Sequence, residues 1–181
     1  PIYAITNIEA MGEALFFEKL KIKLEQGIKM IQVREKNLSY DDLKRIAKII
    51  IDKARPYNVK IIISENEKLA RKIDADGVHY PAHILKTLKM RPSFSICGAS
   101  CHNLDELKAA QDLKLSFALL SPIQKTKSHP LADPIGWEFF SECVNQLEIP
   151  IYALGGLDQG SLAKSWQNGG HGVAMQRAIW E

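Results

Sequence analysis

Residues 30–64 read MIQVREKNLSYDDLKRIAKIIIDKARPYNVKIIIS, and this stretch decides the fold. It opens on Met30–Arg34, a short apolar run rich in β-branched residues. It closes on a second such run, Lys60–Ser64. Runs of this length bounded by Asn, Gly or Pro mark buried strands. Between them, Asp41–Arg55 places Leu43, Ile46, Ala47, Ile50 and Ile51 on one helical face. Ser39 or Asp41 supplies the N-cap. The segment is therefore one strand–helix–strand unit with parallel strands.

The same unit repeats outward in both directions. Further strand-like runs are Ile2–Thr6, Gly77–Tyr80, Ser95–Ala99, Phe117–Ser121, Ile151–Leu154 and Gly172–Met175. Helical patterns fit Glu13–Gln26, Glu67–Ile73, Ala82–Lys89, Leu104–Asp112, Trp137–Gln146 and Ser161–Asn168. Eight alternating strands predict an α/β fold, a closed (β/α)8 TIM barrel forming one domain over residues 1–181. An open doubly wound sheet is disfavoured, because Asn7-Ile8-Glu9-Ala10 after the first strand has no glycine fingerprint. The 181 residues are few for such a barrel, which takes about 250. With Glu181 so soon after the eighth strand, the last helix is expected to be truncated or missing. The wall is then expected to stand open there until a partner, another domain or a tail covers it.

Composition narrows the function classes. The charge of +3, from 24 basic and 21 acidic residues, argues against nucleic acid as a partner. No transmembrane-length apolar run or leader occurs, so no membrane partner and a cytoplasmic location are expected. Cys97, Cys101 and Cys143 are odd in number, which disfavours a disulfide framework. Cys97 and Cys101 with His102 match no standard zinc spacing and read as inert thiols.

Barrel active sites lie at the C-terminal ends of the strands. After strand two this rule selects Gln32, Arg34 and Lys36, which alternate and so project to one side. Two cations at a strand end suit a phosphate or diphosphate, against the alternative of surface pairing with Glu35. Gly155 and Gly156 precede a helix N-terminus after strand seven, and Gln176 and Arg177 follow strand eight. Barrel phosphate sites are often built from those two loops. The longest loop, Pro122–Ile135, is long enough for a lid and offers Lys125, Thr126, Lys127, Ser128 and His129. His79 on strand four reads as a hydrogen-bonded structural histidine or as a proton-transfer group. Ser100 and His102 after strand five could form a hydroxyl–imidazole pair, with no orienting carboxylate evident.

These residues resemble a family. Tyr3-Ala4-Ile5-Thr6-Asn7, Gln32-Val33-Arg34-Glu35-Lys36, Ala75-Asp76-Gly77-Val78-His79, Gly98-Ala99-Ser100-Cys101-His102, Ala153-Leu154-Gly155-Gly156-Leu157 and Gly172-Val173-Ala174 occur in its order. The resemblance is to the thiamine phosphate synthase and TenI-like barrels and covers nearly the whole chain. Ser121-Pro122-Ile123 through Thr126, Ser128-His129-Pro130 and Gly136-Trp137-Glu138 resemble the barrel fused behind Nudix (MutT-like) hydrolase domains. A Nudix domain is thus one implied partner and a homodimer another.

The resemblance implies a transferase of thiamine biosynthesis. It joins hydroxymethylpyrimidine diphosphate to thiazole phosphate and releases diphosphate, with Mg²⁺ held by two carboxylates. Strand-end position and resemblance together assign catalytic roles to Arg34, Lys36, Ser100 and His129. They assign binding of a small phosphorylated substrate to Gln32, Arg34, Lys36, Ser64, Thr126, Ser128, Gly155, Gly156, Gln176 and Arg177. The chain departs from the family pattern at four places. The first metal position, an Asn-Asp pair in the family, is Ser64-Glu65 here, and the second is Ile84. His129 matches the family's lid lysine, and Arg177 its serine after strand eight. The tautomerase branch has a histidine directly after strand six, where Pro122 stands. Glu65 is the one metal ligand expected to survive, so weakened Mg²⁺ binding and impaired turnover are expected. A non-synthase barrel that only binds a thiamine-related phosphate is the alternative.

Overall fold

A computed structural model describes residues 1–126 and 133–181. Its strands are β1 (Ile2–Ile5), β2 (Met30–Val33), β3 (Lys60–Ser64), β4 (Gly77–Tyr80), β5 (Ile96–Cys101), β6 (Phe117–Leu120), β7 (Ile151–Leu154) and β8 (Gly172–Met175). All pair in parallel, in chain order, and β8 returns to β1 to close the barrel. The helices are α1 (Ile8–Met11), α2 (Glu13–Glu25), α3 (Tyr40–Ala54), α4 (Glu67–Lys72), α5 (Ala82–Leu85), α6 (Leu104–Asp112), α7 (Gly136–Val144) and α8 (Ser161–Gln167). None of the described helices is long and apolar enough to cross a membrane.

Each predicted strand is present, because both faces of a barrel strand are covered and its residues must be apolar on both. Two cores result. The inner one fills the barrel with Tyr3, Ile5, Ile62, Phe117, Leu119, Tyr152 and Ala174. The outer one lies between strands and helices, where α3 contributes Ile46, Ala47, Ile50 and Ile51. Ser39, not Asp41, caps α3, its hydroxyl accepting from the Asp42 N–H.

The place expected to stand open is covered in part. After β8 the chain forms a turn instead of a helix. Ile179 and Trp180 are nevertheless each only 2% exposed. The Trp180 ring packs edge-on against Phe16 of α2, with centroids 4.9 Å apart. Its indole N–H donates to the Ile5 carbonyl at 2.8 Å. One large amphipathic side chain thus covers part of what a helix was expected to cover.

Candidate active site at the strand ends

The mouth of the barrel is organised by β1 and β2. Thr6, fully buried just past β1, accepts from the Arg34 N–H at 3.0 Å through its hydroxyl. Its own N–H donates to the Gln32 carbonyl at 2.9 Å. The two strand ends are therefore locked together where the charged residues emerge. Glu35 does not pair with Arg34 or Lys36. It is buried, and its carboxylate accepts the Ile8 N–H at 2.9 Å and the Glu9 N–H at 3.1 Å. In return, the Glu9 carboxylate accepts from the backbone and side-chain amides of Asn37. These reciprocal bonds tie the short α1 to the loop carrying Lys36.

Above this lattice lies a cavity of about 190 Å³ lined by Asn7, Glu9, Ala10, Arg34, Glu35, Lys36, Asn37 and Gln176. Arg34 is half-buried and Lys36 exposed. Gln176 reaches across from β8, its amide donating to the Thr6 carbonyl at 3.3 Å. Gln32 is not part of this lining. It is 1% exposed and one layer deeper, its side-chain amide donating to the Tyr3 hydroxyl at 3.1 Å.

The remaining predicted residues take varied places. Ser100 is half-buried and its hydroxyl lies 2.8 Å from His79 Nε2, so its partner is not His102. His102 is exposed, and its Nδ1 meets the Ser121 carbonyl at 3.0 Å. His79 is the hydrogen-bonded interior histidine that strand position suggests. Burial, and secondarily the charge of Arg34, lower its pKa to about 3. Ser64, half-buried, sits level with His79 in the β3–β4 register. Thr126 and Arg177 are half-buried, each engaged in an interaction. Ser128 and His129 lie outside the described residues.

Gly155 and Gly156 let the loop after β6 pack closely against them. Both have positive φ, 107° and 72°. A Cβ on Gly155 would lie 2.8 Å from Pro122 Cα, and one on Gly156 2.7 Å from the Lys125 carbonyl. The loop after β6 occupies that space, with the Gln124 N–H donating to the Gly155 carbonyl at 3.0 Å. At the start of α8 the Asp158 carboxylate accepts from the Ser161 N–H at 3.0 Å. The three cysteines are free and buried, with thiol pKa values raised by burial.

The geometry now stands beside known proteins. The family model described as "Thiamine monophosphate synthase" matches residues 2–179. The chain belongs to that family. A relative from Aquifex aeolicus named "Putative thiamine-phosphate synthase 2" is 37% identical over 178 residues, covering 96% of this chain and 94% of its own. The thiamine-phosphate synthase of Fusobacterium nucleatum is 28% identical over 160 residues, covering 87% and 78%. Among solved structures, the thiamine phosphate pyrophosphorylase of Pyrococcus furiosus superposes with a TM-score of 0.82 at 25% identity. That match covers 99% of this chain and 86% of the other.

Within the synthase family a metal is implied, and the donor set can be tested for it. Mg²⁺ takes six hard oxygen ligands in near-octahedral array. Glu65 is exposed at the end of β3, with φ 61°. The Asn66 side-chain oxygen is taken by the Leu69 N–H, and the Glu67 carboxylate by the Tyr80 O–H and Arg71. Ile84 packs against the outer core. Among the described residues no three His, Cys, Asp or Glu side chains converge, and residues 127–132 include no carboxylate. The residues present do not fit a protein-built Mg²⁺ site.

Proposed function

We propose that this barrel is a transferase of thiamine biosynthesis that joins hydroxymethylpyrimidine diphosphate to thiazole phosphate with release of diphosphate. The observation that carries this is the cavity holding Arg34, Lys36 and Gln176 at the strand mouth of a chain that the family model matches over residues 2–179. A departing diphosphate gathers negative charge, and preorganised cations beside it lower the barrier. Arg34, with its backbone fixed by Thr6, suits a forked contact to phosphate oxygens, and Lys36 a mobile point charge. We assign neutralisation of the departing charge to these two side chains. Ser100 is a hydroxyl contact to the substrate, and His129 and Arg177 stand where the family has other groups.

Purified protein mixed with both substrates, across a range of Mg²⁺, tests this by the appearance of thiamine phosphate; none under any metal condition ends it. Arg34→Ala is expected to lower kcat/KM by roughly 10²–10³, the cost of one preorganised charge contact.

A second reading, a barrel that binds without turnover, is favoured by the missing carboxylate at Ile84. It predicts that thiazole phosphate raises the melting temperature by binding the native state while no product forms. We place the protein in the cytoplasm, where the three free, buried cysteines stay reduced. A Nudix domain or a second copy as partner rests on the resemblance alone. Sedimentation with and without a purified Nudix domain tests both.

A further inference from the structure

We propose that His79 is a positioning residue that fixes Ser100 as a hydrogen-bond donor toward the mouth of the barrel. The inference rests on the transferase reading and deepens it, because it states what Ser100 offers the substrate.

Four strands contribute to one polar chain inside an otherwise apolar barrel. The Gln32 amide nitrogen lies 3.1 Å from the Tyr3 hydroxyl, and that hydroxyl 3.5 Å from His79 Nδ1. His79 Nε2 lies 2.8 Å from Ser100 Oγ. Tyr3, Gln32 and His79 are at most 2% exposed, whereas Ser100 is half-buried. The chain thus runs from a sealed end to an accessible one.

Its direction is set at Gln32. The Gln32 amide nitrogen donates, so the Tyr3 oxygen accepts, and the phenolic proton needs an acceptor of its own. His79 Nδ1 is the acceptor in reach, and buried donors find partners. A neutral imidazole accepting at Nδ1 carries its proton on Nε2. Nε2–H then donates to Ser100 Oγ. Ser100 retains its own O–H, which no other described residue engages, and presents it outward. A hydroxyl beside an imidazole resembles a nucleophile with its base, but there the imidazole accepts the proton. Here the polarity is reversed. Ser100 is a donor suited to an anionic oxygen of a phosphorylated substrate, not an activated nucleophile.

The barrel is built to hold this ring. Gly98 of β5 leaves the space: a Cβ there would lie 2.8 Å from His79 Nδ1 and 2.3 Å from the Phe117 ring. Tyr3 and Phe117 flank the imidazole, at 5.8 and 5.9 Å between centroids. Burial and the nearby Arg34 charge both disfavour the imidazolium, which would have no acceptor at Nδ1.

Nitrogen-15 NMR of the histidine rings provides the direct test. His79 is expected as a neutral Nε2–H tautomer from pH 5 to 8; an Nδ1–H tautomer or an imidazolium overturns the proposal. Tyr3→Phe keeps the ring packing but removes the phenolic donor, and is expected to let the two tautomers mix. In kinetics, His79→Leu and Ser100→Ala should each lower kcat/KM roughly ten- to hundredfold, the loss of one charge-assisted hydrogen bond. The double variant should lose no more than the larger single loss, and His79→Gln, whose amide nitrogen can stand in for Nε2, should recover most of it. Additive losses, or equal losses in His79→Gln and His79→Leu, overturn the proposal. If the wild type makes no thiamine phosphate, the transferase reading fails on its own. The same cycle is then read in the Kd of inorganic diphosphate, and the tautomer decides independently of either.

Discussion

At the scale of single residues, depth matters as much as direction. Alternation along β2 puts Gln32, Arg34 and Lys36 on one side, and that much is legible in the sequence. It does not say how far up the barrel each stands. Two residues of strand are about 6.6 Å, so Gln32 drops into the sealed interior while Arg34 and Lys36 line the cavity. For Glu35, placed between two cations, spacing offers surface pairing as the alternative, yet it holds the backbone of α1. Nothing in local spacing reveals a contact across 26 or 27 positions. Glu35→Ala leaves two N–H groups without their acceptor and is expected to cost about 1–3 kcal/mol in urea unfolding. The same variant should raise KM, since Lys36 loses its support.

His79 supplies a pH prediction. Its pKa is about 3 in the folded barrel, against roughly 6.5 in the unfolded chain. The unfolded state therefore takes up the proton first. This contribution is whole above about pH 6.5 and is lost as pH falls toward 3, by at most about 1.4 kcal/mol per pH unit. Wild type should lose stability faster than His79→Gln between pH 6.5 and 4.5 in urea titrations. Parallel curves would show that the imidazole is not held neutral.

At the scale of elements, long periodic segments were readable and short ones were not. α3 carries both an apolar face and a capping serine, so its position follows from local rules. Ser39→Ala is expected to cost about 1 kcal/mol, measured as a shift in the urea midpoint. α1 has four residues and no period to detect; it stands where the Glu35 carboxylate receives its first N–H groups. α5 ends at Leu85, short of the expected Lys89, where the Thr87 hydroxyl donates to the Ile84 carbonyl at 2.8 Å. A side chain that takes a helix carbonyl competes with the next backbone bond. The loop after β6 stands out by length and composition, but its packing against Gly155 and Gly156 depends on strand neighbours that local spacing does not encode. At Gly98 the demand is steric, and Gly98→Ala is expected to destabilise by about 1–3 kcal/mol through overpacking against Phe117.

At the scale of the molecule, eight alternations favoured a closed ring over an open sheet, and the ring that forms has no free sheet edge. What alternation could not show is how the residues after β8 pack against the ring. Trp180 lies there with an edge-on ring contact to Phe16 and a hydrogen bond to Ile5, two contacts more than 160 positions away in sequence. Trp180→Ala is expected to cost about 3–5 kcal/mol in thermal or urea unfolding, as for other large aromatic truncations. The placement also gives the barrel a built-in optical gauge. Of the three tryptophans, Trp180 is 2% exposed and Trp166 52%. A red shift of the indole emission in a background carrying both Trp137→Phe and Trp166→Phe, at denaturant too low to change the far-ultraviolet signal, would time the release of the seam between first and last strands separately from the melting of the sheet.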